Sequence, residues 1–106
     1  MGCGRVFEGT YQEMFQSLER LKCLAPSTKI YCAHEYTERN GRFAVSLFPD
    51  HELIRSRYNH TVELRRRGES TVPLLLGQEL QTNPFLLAKN LSEFSFLRNE
   101  RNKAMV

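Results

Sequence analysis

The stretch Ile30-Tyr31-Cys32-Ala33-His34-Glu35-Tyr36 changes character within one residue. Ile30, Tyr31 and Cys32 favour an extended backbone, Ala33 is small, and His34, Glu35 and Tyr36 place three polar or ionisable groups where a strand would end. Sites are commonly built at such ends, where a rigid scaffold positions a loop. A histidine held there turns one imidazole nitrogen outward while a carbonyl or carboxylate fixes the other, the arrangement a metal ligand needs. His34 has no second histidine at ligand spacing, however, and a lone histidine more often serves as a hydrogen-bonded structural residue. Spacing leaves both roles open.

Upstream of this stretch, Pro26 and Ser27 turn the chain into a strand expected over Thr28 to Ala33. Before the turn, Thr10 and Glu13 form a capping box for a helix running to Leu24, with Tyr11, Met14, Phe15, Leu18 and Leu21 on one apolar stripe. Such a stripe is core packing and carries no chemistry. Met1 to Gly9, with three glycines, reads as a turn-rich loop. Loop, helix and strand make one unit of a layered sheet-and-helix fold, because a lone strand cannot satisfy its own backbone groups.

Downstream the periodicity is helical and no further strand is expected. Thr37 is placed to cap a helix carrying Phe43, Ala44, Leu47 and Phe48, with Gly41 as its weak point. Pro49-Asp50 ends it and caps the next, which runs to about Arg67 with Leu53, Ile54, Tyr58, Val62 and Leu64 inward and Arg55, Arg57, Arg65, Arg66 and Arg67 largely outward. The arginines read as a solvated face and a cation-rich C-terminal turn, and His51 and His60 as surface or capping residues. Gly68 closes this helix, and Glu69 to Leu76 is a proline-containing connection. A short helix over Gly77 to Thr82 leads to Asn83-Pro84-Phe85, where Phe85 anchors the loop in the core. Asn90 or Ser92 opens a last helix that ends in the basic run Arg98 to Lys103. The fold class is therefore mainly α with a short N-terminal loop-helix-strand unit.

A chain of 106 residues, 41% hydrophobic and 25% charged, allows one small soluble domain or part of a larger one, with a marginal core. Cys3, Cys23 and Cys32 are odd in number and irregular in spacing, which argues against a disulfide framework and fits a reducing, cytoplasmic setting. No apolar run is long enough for a membrane span, and no leader pattern opens the chain. A net charge of +3 favours an anionic ligand without demanding nucleic acid.

Three motifs occur in order: Gly2-Cys3-Gly4-Arg5-Val6-Phe7-Glu8-Gly9-Thr10, Ile30 to Thr37, and Thr82-Asn83-Pro84-Phe85-Leu86. Together they resemble the C-terminal part of glyoxalase II, the hydroxyacylglutathione hydrolase branch of the metallo-beta-lactamase fold. The resemblance implies that residues 1–36 are the last part of an αββα sandwich and that 37–106 form the family's helical domain. It implies hydrolysis of the S-D-lactoylglutathione thioester to D-lactate and glutathione, a step of methylglyoxal detoxification. It also implies two metal ions, commonly zinc and sometimes iron or manganese. Most of the family's ligands come from a His-x-His-x-Asp-His motif, a further histidine and a bridging aspartate, none of which is in this sequence. His34 is the one ligand the resemblance assigns here, and it assigns no catalytic residue.

For substrate binding the resemblance assigns Arg5 and Phe7 in the loop, Tyr36 beside the histidine, and Arg98 with Arg101 on the last helix. The family often has tyrosine where Phe7 lacks the hydroxyl. It has Arg-x-x-Lys where this chain has Arg98 and Arg101, and residues three apart share a helix face, so both cations are placed to meet one carboxylate of glutathione. In the family a domain longer than this chain precedes Gly2. The chain is thus expected to be a fragment, ahead of one half of a split protein that docks on an N-terminal partner or a remnant reused for binding. It is expected to be inactive alone and to expose apolar faces of its first helix and strand. The alternative is a small anion- or glutathione-binding or partner-docking module using Arg5, Tyr36, Arg98 and Arg101. A nucleic-acid module along Arg55 to Arg67 lacks interleaved aromatics; neither nucleic acid nor membrane is an expected partner.

Overall fold

Thr10 and Glu13 start the first helix as their spacing predicts. The Thr10 hydroxyl accepts from Glu13 N at 3.1 Å, and Glu13 Oε1 accepts from Thr10 N at 3.0 Å. The structure, a computed structural model, describes residues 1–4 and 9–104. Among these, six helices and a two-stranded antiparallel ribbon follow in the order α1 (Tyr11–Lys22), β1 (Lys29–Ile30), α2 (Thr37–Leu47), α3 (Glu52–Arg66), β2 (Leu74–Leu75), α4 (Leu76–Thr82), α5 (Pro84–Leu87) and α6 (Leu91–Lys103). The protein is mainly helical. None of its described helices is long and apolar enough to cross a membrane.

The core is aromatic. Phe85 and Phe94 are 1% and 0% exposed and meet edge to face at 6.2 Å, Phe43 stacks on Phe85, and Cys3, Ala88 and Leu97 close the cluster. Burying each phenylalanine contributes about 1.5–3 kcal/mol. The α1 stripe packs against this cluster through Tyr11, Met14, Phe15 and Leu18, yet no residue of α1 is fully buried. Leu21 and Leu24 at its far end, and Tyr31 just past β1, remain exposed, as expected for apolar faces left open. A second cluster of Met1, Ala44 and Ile54 joins α2 to α3.

Asn90 caps the last helix as expected, accepting from Glu93 N. Asn83, expected to lie in a loop, instead caps α5 by accepting from Phe85 N. Five further expectations are corrected. The strand is two residues long rather than Thr28 to Ala33, because its only partner is Leu74–Leu75. That partner lies inside the supposed connection Glu69 to Leu76; two residues after Pro73 are too few to show alternation, and pairing alone makes them a strand. Thr37 is the first residue of α2 and not its cap, since its hydroxyl lies 2.8 Å from that of Thr71. His51, not Asp50, caps α3, its Nδ1 accepting from Ile54 N at 3.3 Å. On α3 itself, Leu53 is 52% exposed while Arg57 is buried, the reverse of the expected faces.

Gly41 is explained by packing. A Cβ at this position would lie 2.8 Å from Tyr58 Cδ1, so the glycine lets α3 approach α2. In an open helix interior, Gly→Ala stabilises by about 1 kcal/mol. Here Gly41→Ala is expected to destabilise by about 1–3 kcal/mol through overpacking, read as a lower urea midpoint with unchanged slope.

Candidate functional site

Past Ile30, β1 has no partner and the chain turns into α2, carrying His34, Glu35 and Tyr36 at the bend. His34 is exposed, and its ring lies 5.4 Å from that of Tyr36 at a tilt of 36°. Tyr36 is half-buried against Gly4, where an added Cβ would lie 3.1 Å from the Tyr36 ring. The Gly-Cys-Gly and His-Glu-Tyr motifs thus meet in space, and Gly4 leaves room for the tyrosine. No hydrogen bond holds the His34 imidazole among the described residues.

The last helix completes this meeting point. Arg98, 3% exposed, donates from Nη1 to Cys3 O (2.6 Å) and Gly4 O (3.0 Å), and from Nε to Asn102 Oδ1 (3.0 Å). Its guanidinium carbon sits 4.8 Å from the centre of the Phe85 ring. Asn40, 1% exposed, donates to Met1 O (2.7 Å) and Cys3 O (3.3 Å) and accepts from Arg101 Nε (2.8 Å). Arg98 and Arg101 therefore share the face their spacing predicts, Arg98 bonding the opening segment directly and Arg101 reaching it through Asn40. Arg5 and Phe7 lie outside the described residues.

A polar network backs the bend. Glu35 accepts from Thr71 N (2.7 Å), Thr71 Oγ1 (2.6 Å) and Ser70 Oγ (3.1 Å). Burial alone would raise the Glu35 carboxyl, but these bonds outweigh it and hold it below the usual carboxylate range. Deeper in, Glu79 is ion-paired with Arg57, accepts from the Met1 amine (3.0 Å) and takes the Asn83 amide (2.8 Å), while Arg57 Nη1 reaches Thr82 Oγ1 (2.8 Å). Burial pushes Glu79 up, yet the charges of the Met1 amine and Arg57, with hydrogen bonds from Arg57 and Asn83, bring it below its ordinary value. Burial also pushes the Met1 amine down to about 6, against the pull of Glu79, so near neutrality Arg57 is the lasting cation of the group. The thiols of Cys3 and Cys32 are both raised by burial, which keeps them protonated.

The sequence alone did not single out Asn40 or Glu79, and it put Arg57 on the outward face, although helical phase carried a signal for Asn40 and Arg57. Arg57 falls between Ile54 and Thr61 on the buried stripe of α3, and Asn40 lies one turn from Ala44 on that of α2. Among the described residues no three His, Cys, Asp or Glu side chains converge as a metal cage would require. The exposed imidazole of His34 fits one corner of such a cage, and the rest of a ligand set would have to come from elsewhere. An apolar hollow of about 370 Å³, lined by Phe48, Ile54, Leu87 and Phe96, shares no residue with this meeting point.

Residues 35–104 match the family model described as the hydroxyacylglutathione hydrolase C-terminus. A hydroxyacylglutathione hydrolase of Prochlorococcus marinus (strain MIT 9312) is 48% identical over 101 residues, covering 95% of this chain and 41% of the relative. One of Methylococcus capsulatus is 52% identical over 86 residues, 81% of this chain and 34% of the relative. One of Rippkaea orientalis is 48% identical over 85 residues, 80% of this chain and 33% of the relative. The chain spans about two fifths of the length of these relatives or less.

The buried ion pair fixes the direction of the pH response. A carboxyl lowered in the folded state stabilises above its unfolded pKa, and that stability is lost as pH falls through the folded value. The amine acts with the same sign, since from its ordinary 8.0 down to about 6 the unfolded chain takes up the proton first. Urea midpoints are expected to fall steadily on acidification from pH 8. In Glu79→Gln the acid part of that dependence should flatten, while stability at pH 7 drops by about 3–5 kcal/mol because Arg57 is left buried without its counter-charge.

Proposed function

This chain belongs to the hydroxyacylglutathione hydrolase family, and on that premise we propose that it is the substrate-recognising C-terminal part of a glyoxalase II acting on the S-D-lactoylglutathione thioester. Residues 1–36 would complete an αββα sandwich whose other strands and metal ligands lie in the portion that the longer relatives have and this chain does not. Residues 37–106 would be the helical domain, here sharing the Phe43, Phe85 and Phe94 core with Cys3 of the first segment. The observation that carries the reading is the convergence of the start of α2 and the last helix on Cys3 and Gly4, through Tyr36, Asn40 and Arg98.

In this reading His34 holds one of two metal ions, zinc or alternatively iron or manganese, with the remaining ligands supplied from outside these residues. Bound there, such ions supply Lewis-acid polarisation of the thioester carbonyl and a water acidic enough to ionise near neutral pH. Tyr36, next to the imidazole, would meet the glutathione portion of the substrate. Arg5 and Phe7 would do so from the opening loop, whose start Arg98 holds by its carbonyls, and Arg101 would add positive charge toward the glutathione carboxylate. Detoxification of methylglyoxal in the cytoplasm is the setting this activity implies, and three free cysteines agree with it. A non-catalytic glutathione-binding module would use the same residues, and the assay separates the two.

Purified chain supplied with zinc is expected to give no turnover of S-D-lactoylglutathione above the uncatalysed rate, yet to bind glutathione in a titration. Arg101→Ala should weaken that binding about tenfold, the loss of one charge-assisted hydrogen bond. Enzymatic turnover by the chain alone would overturn the division of labour, and absence of glutathione binding would overturn the assignment of recognition to this part.

A further inference from the structure

Residues 32 to 35 have no backbone-to-backbone hydrogen bond among the described residues, because the β1–β2 ladder ends at Ile30 and α2 begins only at Thr37. A segment free of ladder bonds ordinarily frays. Among the described residues, the side-chain hydrogen bonds of this segment all belong to Glu35, which reaches Ser70 and Thr71 after α3. There a single carboxylate takes the Thr71 amide, the Thr71 hydroxyl and the Ser70 hydroxyl, with Arg65 Nη1 at 3.9 Å. Thr71 in turn lies 2.8 Å from Thr37 Oγ1, so one residue grips the bend on both sides of Tyr36.

From this geometry we infer that Glu35 is a positioning residue, clasped by Ser70 and Thr71 so that His34 and Tyr36 leave the bend in one fixed direction. The inference deepens the proposed function and rests on its assignment of His34 and Tyr36 to the site. Restraining one residue of a short bend also restrains the backbone dihedrals of its immediate neighbours, so holding Glu35 limits the directions open to His34 and Tyr36. Backbone contacts would do this in a longer strand. Here the ribbon stops four residues short of His34, and a carboxylate does it instead. Glu35 touches neither substrate nor metal in this account; it acts through the residues beside it, and the 35-residue separation from Ser70 makes the loop after α3 part of the site's framework.

The test follows the Tyr36 amide resonance of the 106-residue chain during titration with reduced glutathione. Glu35→Ala is expected to bind at least about tenfold more weakly, while Glu35→Gln, which keeps an acceptor for Thr71 N, stays within about threefold of the parent. Thr71→Val should also weaken binding, and adding it to Glu35→Ala should cost less than the sum of the two single losses, since the two share the Glu35–Thr71 contact. Ile54→Val, which loosens the second core cluster without touching the clasp, controls for lost stability and should bind like the parent. Parent-like affinity of Glu35→Ala, or equal losses in Ile54→Val, would overturn the inference while leaving the proposed function standing. A parent whose Tyr36 resonance does not respond to glutathione would instead remove the assignment beneath it, and the inference with it.

Discussion

A guanidinium buried without a carboxylate beside it among the described residues holds the two ends of this chain together. Arg98 lies on the last helix, and its Nη1 donates to two carbonyls of the opening segment, while Phe85 offers the face of its ring below. Leaving such a charge unsolvated would cost several kcal/mol, so the carbonyls, the Asn102 amide oxygen and the ring must all be in place for the residue to be buried at all. The requirement runs both ways. The opening segment lies in no helix or strand, and its carbonyls at Met1, Cys3 and Gly4 are satisfied by Asn40 and Arg98. Once these bonds form, Cys3 is carried into the aromatic core and Gly4 against Tyr36, and the site's parts come within reach of one another.

The second buried cation follows a different rule. Arg57 meets a carboxylate, Glu79, and the pair is surrounded by Asn83, Thr82 and the Met1 amine, so that no described buried side-chain nitrogen or oxygen lacks a partner. Glu79 sits in α4 and Arg57 in α3, and their pairing draws the helical hairpin down onto the short helices that carry Phe85. Asn83 serves twice, donating to Glu79 from its amide nitrogen and capping α5 with its oxygen. The motif Thr82-Asn83-Pro84-Phe85-Leu86 therefore reads as a joint: Thr82 and Asn83 take the polar network, Pro84 starts the turn, and Phe85 enters the core.

Much of the local structure was legible because its causes are local. The capping box at Thr10, the asparagine cap at 90 and the helical stripes each depend on residues within one or two turns. The two-residue ribbon was not legible, since Leu74 and Leu75 become a strand only by lying beside Lys29 and Ile30. Arg57 was expected outward because it is charged, while helical phase put it on the inward face, and phase prevailed because Glu79 and Thr82, far along the chain, satisfied it. Of the candidate site, the motifs were visible but their joining was not. Arg98 looked like a hand held out to a ligand, and the structure has it gripping the chain's own carbonyls.

That difference separates the polar residues here into two kinds. Arg98, Asn40, Arg57 and Glu79 are almost wholly buried, and their bonds are spent within the fold. His34 is exposed, makes no hydrogen bond through its ring among the described residues, and stands on a segment that the sheet no longer supports. A side chain in that state is costly to hold in one direction unless something outside the ribbon holds its backbone, because each ordered residue gives up about 1–2 kcal/mol of backbone entropy. Glu35 and the Thr71 segment supply the restraint, and the buried network behind Thr37 and Met1 keeps that segment from drifting. The exposed imidazole can therefore keep a defined direction while its nitrogens remain uncommitted, which is the state in which an imidazole is able to join a shared metal centre.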